Sequence, residues 1–423
     1  MSLFSKKRIP VVLITGYLGS GKTTFLNNLL AFENRKIALV VNDMGKVNID
    51  AKLIKNETMK KMDTKMIELS NGCICCTLRD EFMVEIENLA KIKDLDAIFV
   101  EASGISEPAN IAQSFLAYEE TNKKANFFLS RIITLVDADR INKEFLFDIQ
   151  EHLKENETEA ESITSNSDES EAESLTSNSE KTEANKKASS NLKLRIDDNV
   201  DLDDDNTEDD PDIINLVMDQ IEFCNCIVLN KCDLVSSEAL LEVKNLIKKL
   251  QPEAEIIESI FAKVNYDRIL NGASFDYEKA MNSSAIQRAL KESVEGKKSE
   301  QDEYGIDSFV FEEKRPFVRE KFMGFLEQNF PHEIIRSKGY IWFEDDPTHV
   351  QLVESAGRNA SVMEYSNWVD AFSKEEKQQV FDLYPEVLED WDEEYCDRLN
   401  QIVFIGLDYN REEIQKELEA CIA

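Results

Sequence analysis

Positive charge is what this sequence lacks most. Against 84 Asp and Glu stand only 49 Lys and Arg, a formal net charge of −35 at pH 7. Such a surface repels the phosphates of nucleic acids and of anionic headgroups, so neither nucleic acid nor membrane is expected as a partner. Long hydrophobic runs are missing too: no stretch of about 18 apolar residues is present to span a bilayer as a helix. The basic Lys6-Lys7-Arg8 followed by Val11 to Ile14 starts like a signal peptide. Its apolar part is too short and runs straight into a glycine loop, so a cytoplasmic location is expected. Histidine is scarce, three in 423 residues, and beyond residue 300 only His332 and His349 offer an imidazole to a metal.

Cysteine, by contrast, is concentrated. Three of the eight lie in Asn71-Gly72-Cys73-Ile74-Cys75-Cys76, and the following Thr77-Leu78-Arg79-Asp80 has the pattern of a helix start. A helix N-terminus favours thiolates, and a reducing compartment keeps thiols free to bind metal. Cys73, Cys75 and Cys76 therefore read as a metal site, in which three thiolates from one short loop leave a fourth tetrahedral position open. The remaining five, Cys224, Cys226, Cys232, Cys396 and Cys421, are scattered and read as packing residues.

The clearest motif precedes that cluster. A short β-branched run, Ile9 to Thr15, leads into Gly16-Tyr17-Leu18-Gly19-Ser20-Gly21-Lys22-Thr23-Thr24, after which Phe25 to Leu30 has helical spacing. This is G-x-x-x-x-G-K-T between a strand and a helix, where backbone N–H groups curl around phosphates. Lys22 would neutralise the β and γ oxygens, and Thr23 would offer its hydroxyl to Mg²⁺. Gly16, Gly19, Ser20, Gly21 and Thr24 complete the loop.

Other strands then follow, each ending in polar residues. Lys36 to Val41 leads to Asn42-Asp43 and on to Asp50; both carboxylates are candidates for holding Mg²⁺ or a transported metal, with solvated turn residues as the plainer alternative. Lys65 to Leu69 delivers the cysteine loop, and the helix after it carries Leu78, Phe82, Ile86 and Leu89 on one face. Ala97 to Val100 ends at Glu101, with Gly104 three residues on: an acid to hold a Mg²⁺-bound water and a glycine N–H to touch a γ-phosphate. Lys22, Asp43 and Glu101 form the candidate catalytic set. Ile227 to Leu229 ends at Asn230-Lys231-Cys232-Asp233, and this N-K-x-D suits guanine. Asp233 can accept from both N1–H and the exocyclic amine, while the Lys231 stem covers the base.

The chain divides by composition. Residues 154–210 are Ser, Asn, Asp, Glu and Lys, with Glu161 to Ala172 nearly repeated as Glu173 to Ala184, and are expected to be a disordered acidic insertion. Residues 1–153 and 211–270 form the expected P-loop domain, an α/β fold with a mainly parallel sheet. A helical, polar connector over 271–304 precedes a smaller α+β domain over 305–423. There, strands are expected at Asp307 to Phe311, Gly339 to Glu344 and Gln401 to Gly406, and helices at Phe317 to Gln328, Lys374 to Leu383 and Arg411 to Ala423.

Taken in order, Gly16 to Thr24, Asn42 to Gly45, Gly72 to Cys76, Glu101 to Pro108 and Asn230 to Asp233 resemble the CobW-like GTPase family of metallochaperones. The resemblance is nearest to its bacterial YciC-like zinc chaperone subgroup. Arg315-Pro316-Phe317, Lys338-Gly339 and Val403-Phe404-Ile405-Gly406 resemble that family's C-terminal domain. The resemblance implies a SIMIBI-type GTPase that binds GTP, Mg²⁺ and Zn²⁺, turns over slowly and hands zinc to a client metalloprotein, with a homodimer left open. By position it makes Lys22 and Thr23 the phosphate and Mg²⁺ residues, Asn230 and Asp233 the guanine readers, and the three clustered cysteines the metal ligands. Two features depart from the family pattern: Val318 stands where a histidine often follows Arg-Pro-Phe, and the insertion is acidic instead of histidine-rich. Delivery of cobalt or nickel, a zinc-stabilised GTP-binding protein without turnover, and a small-molecule kinase on the same loop are the competing readings.

Overall fold

The computed structural model describes residues 8–42, 65–69, 79–102, 104, 107–147, 193–196, 211–296, 306–357, 359–389 and 391–423. They fall into two compact units, 1–142 with 216–288, and 143–215 with 289–423.

The first unit is built on seven strands: β1 (Ile9–Thr15), β2 (Ile37–Asn42), β3 (Lys65–Leu69), β4 (Ala97–Glu101), β5 (Phe127–Asp137), β7 (Cys226–Asn230) and β8 (Glu255–Glu258). They run in the order β3-β2-β4-β1-β5-β7-β8, and every neighbouring pair is parallel. Continuous apolar runs such as Val11 to Ile14 and Ile98 to Val100 make this possible, because a parallel sheet is covered on both faces and has no polar side to alternate with. On one face helix α1 (Lys22–Phe32) sinks Phe25, Leu26, Leu29 and Leu30 against Val12, Ile14, Leu39 and Leu135. Full burial of each such side chain is worth about 1.5–3 kcal/mol. Elsewhere, Phe82 of α2 (Arg79–Ala90), Phe115 of α3 (Pro108–Thr121) and Phe127 of β5 meet edge to face, with centroids 6.0 and 6.1 Å apart.

Parallel strands put all their C-terminal ends on one edge. The chain therefore leaves β1 at Gly16, β2 after Asn42, β3 after Leu69, β4 after Glu101 and β7 at Lys231 on the same rim. Asp43, Asp50, Cys73, Cys75 and Cys76 lie outside the described residues.

This unit runs past residue 270, to Arg288. The reason is a buried polar seam. Gln251 donates to the Ala280 carbonyl at 3.1 Å and accepts from Ser283 at 2.5 Å, and the Arg288 guanidinium donates to the Lys249 carbonyl. The short helices that looked like a connector are thereby packed onto α5 (Ser237–Leu250). Helix α4 (Pro211–Glu222) precedes β7.

The second unit carries β9 (Ile306–Glu313), β10 (Ile334–Phe343), β11 (Asp346–Ala356), β12 (Asn359–Asn367) and β13 (Asn400–Leu407) as an antiparallel sheet in the order β12-β11-β10-β13-β9. Its core is aromatic. Phe317, the last residue of the Arg-Pro-Phe motif, is fully buried and stacks on Phe322 at 4.7 Å. Helix α6 (Lys374–Leu383) begins at a reciprocal Ser373–Glu376 capping box, and α7 (Arg411–Ala420) follows β13. One expectation fails here. Within the segment read as wholly disordered, Lys193–Ile196 forms strand β6, paired in parallel with β12 from Asn359 to Val362. The alternation of Leu192, Leu194 and Ile196 inside a polar stretch is the local cause.

Candidate functional site

The loop after β1 takes a shape that only its glycines allow. Gly16 has φ +135° and Gly21 has φ +108°. A Cβ at Gly16 would stand 2.5 Å from the Leu135 carbonyl, and one at Gly21 would stand 2.4 Å from the Asn230 amide. No other residue fits either position. Gly19 faces open space instead, with nothing within 4 Å of where its Cβ would be. Helix α1 starts here without a side-chain cap and without an acid in its first turn. A helix N-terminus of this kind attracts an anion through its leading N–H groups and its dipole. Lys22 donates to the Gly16 carbonyl at 2.5 Å and to the Tyr17 carbonyl at 3.1 Å, which folds its ammonium over the loop. Thr23 is half-buried and Thr24 exposed. Arg140 lies 4.3 Å from the Tyr17 ring centroid and braces the loop from the side.

Two neighbouring hydroxyls, Thr15 Oγ1 and Ser20 Oγ, are buried and have no hydrogen-bond partner. Native structures rarely tolerate that, and a polar group bound in the loop would satisfy them. Glu101 is 4% exposed and pairs in register with Ile14, so its carboxylate emerges beside the root of the loop. Gly104 lies directly over it: a Cβ there would be 3.4 Å from both Leu18 N and Lys22 Nζ. Loop donors, a buried acid and a glycine turn thus surround one small volume, with donor chemistry that fits a phosphate chain and its Mg²⁺.

Asn230 ties this volume to the second motif. It is 2% exposed, and its amide donates to the Ser20 carbonyl at 2.9 Å. Its side-chain oxygen accepts from Ala262 N at 2.8 Å and from Ser259 Oγ at 3.1 Å. Read from sequence as a guanine reader, Asn230 has its side chain engaged with the phosphate loop and the 259–262 turn. Lys231 follows with φ +60°, and its ammonium pairs with Asp137 at 2.5 Å. Asp137 Oδ1 meanwhile accepts from Asp139 N at 3.1 Å and Arg140 N at 3.3 Å. The lysine stem is thereby fixed, and Asp233 is left exposed at the rim.

The 259–262 turn was not visible in the sequence. Phe261 and Ala262 both have φ +52°, a left-handed pair without glycine, held by Asn28 donating to the Phe261 carbonyl at 2.8 Å and by Asn230. The only hint would have been two asparagines over 200 residues apart. Cys224 and Cys226 sit in the core, where burial pushes their thiols up to about 12; they do not ionise near neutral pH and act as packing. Among the described residues no group of three or more His, Cys, Asp or Glu is placed to hold a metal ion.

Comparison with known proteins agrees with this geometry. Residues 10–258 match the family described as CobW/HypB/UreG, nucleotide-binding domain, and residues 306–422 match the cobalamin synthesis protein cobW C-terminal domain. The chain is 33% identical over 431 residues to the zinc-regulated GTPase metalloprotein activator 1 of Dictyostelium discoideum, covering 98% of this chain and 80% of that protein. It is 37% identical over 137 residues to the zinc chaperone CobW of Pseudomonas aeruginosa, covering 31% of this chain and 36% of that one. A solved structure of the Zn(II)-bound YjiA GTPase from E. coli overlaps 99% of this chain and 100% of its own, at 17% identity and a TM-score of 0.33, too loosely for any residue to be carried across. The match to the nucleotide-binding domain spans more than half of the chain, and the site built from Gly16, Lys22, Glu101 and Asn230 lies inside it; the chain belongs to the CobW/HypB/UreG family.

Proposed function

We propose that this protein is a GTP-hydrolysing zinc chaperone, which binds zinc through Cys73, Cys75 and Cys76 and passes it to a client metalloprotein according to its nucleotide state. The observation that carries the GTP half is the Asn230 bridge, which joins the phosphate loop to the N-K-x-D segment through one buried amide. Phosphate and base recognition then form a single rigid site, and Asp233 at its rim is the group able to read a guanine edge. The names of the relatives from Dictyostelium and Pseudomonas support the zinc and GTPase parts of this reading.

In the proposed reaction, Lys22 and the N–H groups of the 16–24 loop stabilise charge developing on the transferred phosphoryl group. Gly104 N–H meets the γ-phosphate, and the Glu101 carboxylate orients a water. Thr23, with Glu101 and Asp43, would hold Mg²⁺, which supplies charge neutralisation at the phosphate oxygens when bound. Asp50 is a further candidate for a metal. No arginine finger or water-positioning glutamine is assigned, so basal turnover is expected to be slow.

Zinc is the cargo. By strand order, β3, the last described element before the cysteines, is three strands from β1, about 14 Å at ordinary strand spacing. Between them lie β2, leading to Asp43, and β4, ending in Glu101. Changes at the γ-phosphate would reach the cysteines through those two strand ends, and zinc and GTP would alter each other's affinity by one common factor. The acidic segment 154–210, apart from strand β6, would act as a solvated tether. The site of action would be the cytoplasm; no helix among the described residues is long and apolar enough to cross a membrane.

The test is zinc analysis and GTP turnover on the wild type beside a variant with Cys73, Cys75 and Cys76 changed to Ser. Loss of bound zinc with GTP binding retained is expected. Retained zinc stoichiometry would move the metal site elsewhere, and equal zinc affinity with a non-hydrolysable GTP analogue and with GDP would sink the coupling.

A further inference from the structure

One buried hydrogen bond next to the nucleotide site has no part in the reading above. Gln220, on the last turns of α4, is 1% exposed, and its Nε2 donates to the Gly104 carbonyl at 3.1 Å. The two residues are 116 positions apart, so only the tertiary fold brings them together. Gln220 is itself anchored from behind: its backbone carbonyl accepts from the Thr134 hydroxyl at 2.7 Å, and Thr134 pairs in register with Thr15 at the root of the phosphate loop. Ile221 and Met218, both fully buried, fix the same turn of the helix. The amide is therefore presented to Gly104 from a rigid support.

Gly104 needs such a support. Lacking a Cβ, it has the broadest backbone freedom of any residue, and its N–H is the group expected to meet the γ-phosphate. A hydrogen bond that holds its carbonyl restricts ψ of Gly104 and so limits how the turn above Lys22 can rotate. The ordering cost is then met in the fold and not at the moment of binding. This influences only a nucleotide that reaches Gly104. A diphosphate leaves the turn untouched and is held by the 16–24 loop and the N-K-x-D segment alone.

We infer that Gln220 is a positioning residue for Gly104, and that it sets the preference of this site for nucleoside triphosphate over diphosphate. The inference rests on the GTPase reading, and the experiment separates the two. Affinities for a non-hydrolysable GTP analogue and for GDP, together with kcat and KM for GTP, are measured on the full chain, on Gln220→Met and on Gln220→Glu. Methionine keeps the volume and removes the donor; glutamate keeps the length and sets an acceptor against the carbonyl. The expected result is GDP affinity within about twofold of wild type, with the triphosphate preference and kcat down about fivefold in Gln220→Met, the usual worth of one neutral hydrogen bond, and further down in Gln220→Glu. Triphosphate preference and kcat within twofold of wild type in both variants would overturn the inference. So would equal losses for GDP and the analogue, the mark of a merely structural role. Should Gln220→Met fail to unfold cooperatively, Thr134→Val, which loosens the same helical turn without touching Gly104, is read by the same criteria. A wild type that neither binds nor hydrolyses GTP would instead overturn the GTPase reading itself.

Discussion

The two units bury their hydrophobic cores in different currencies of side chain. Around β1 the core is aliphatic: Val12, Ile14, Leu39, Leu135, Val228 and Ile257 dominate, with Phe25, Phe99 and Tyr266 as its aromatic members. Around β10 it holds eight phenylalanines, from Phe309 to Phe404. Parallel strands enclosed on both faces require compact β-branched residues that fit the pleat from either side. An antiparallel sheet with helices gathered on one face has a thicker, less regular gap, and rings fill it. Both units also bury polar groups. The first unit buries Asn230, Glu101, Thr15 and Ser20 at its strand ends, where chemistry is proposed. The second buries Arg336, whose guanidinium donates to Asn215 at 2.8 Å and lies 3.8 Å from Glu354, a pairing within its own framework.

This contrast predicts that substitutions separate stability from turnover. The largest stability effect is expected in the aromatic core. Phe322→Ala should lower the unfolding free energy of the second unit by about 3–5 kcal/mol, followed by chemical denaturation, while nucleotide affinity at low denaturant stays near wild type. A matching fall in nucleotide affinity would show that the units are not separable. Next, Lys22→Ala should reduce GTP turnover by at least about 100-fold, close to 3 kcal/mol of barrier, with the unfolding midpoint unchanged. Asn230→Ala should cross the divide: about 1–3 kcal/mol is lost from the first unit, and nucleotide affinity falls with it, because one amide serves both. Calorimetric binding beside thermal unfolding would detect a case where only one of the two moves.

The smallest effect is a pH dependence confined to the second unit. The Lys314 ammonium, helped by the Tyr395 and Glu394 backbone N–H groups, lowers the Asp392 carboxyl from its ordinary 3.8 to about 2. A depressed carboxyl contributes stability that is present above its unfolded pKa and is lost as pH falls through its folded one. Asp392→Asn should therefore be slightly less stable than wild type at pH 5 to 7, and the gap should close between about pH 4 and pH 2. A gap that widened on acidification would have the wrong sign for this ion pair.

What could be read beforehand follows the same division. Local features were legible: the 16–24 loop, the strands ending at Glu101 and Asn230, helix Ser237–Leu250 and helix Lys374–Leu383 depend on neighbours in sequence. Features made by distant pairing were not. Strand β11 escaped notice because Glu354 sits among its apolar residues, and only the fold supplies the Lys338 ammonium, 2.5 Å away, that makes its burial tolerable. Asn230 was legible as a motif residue, but its partners Ser20 and Ala262 are 210 and 32 positions away. The Gln220 amide lay hidden among the apolar positions of α4 for the same reason.

The crossover between β5 and β7 has a practical consequence. Asp137 and Asn230 are register partners, so both ends of the intervening chain are pinned side by side in the sheet. Closing a loop between fixed ends costs only about 0.6 kcal/mol more for each doubling of its length. Changes of length within residues 154–192, ahead of β6, are therefore expected to cost little. The same holds at the bench: a fluorescent reporter grafted into that stretch would ride on the molecule at little cost to its folding.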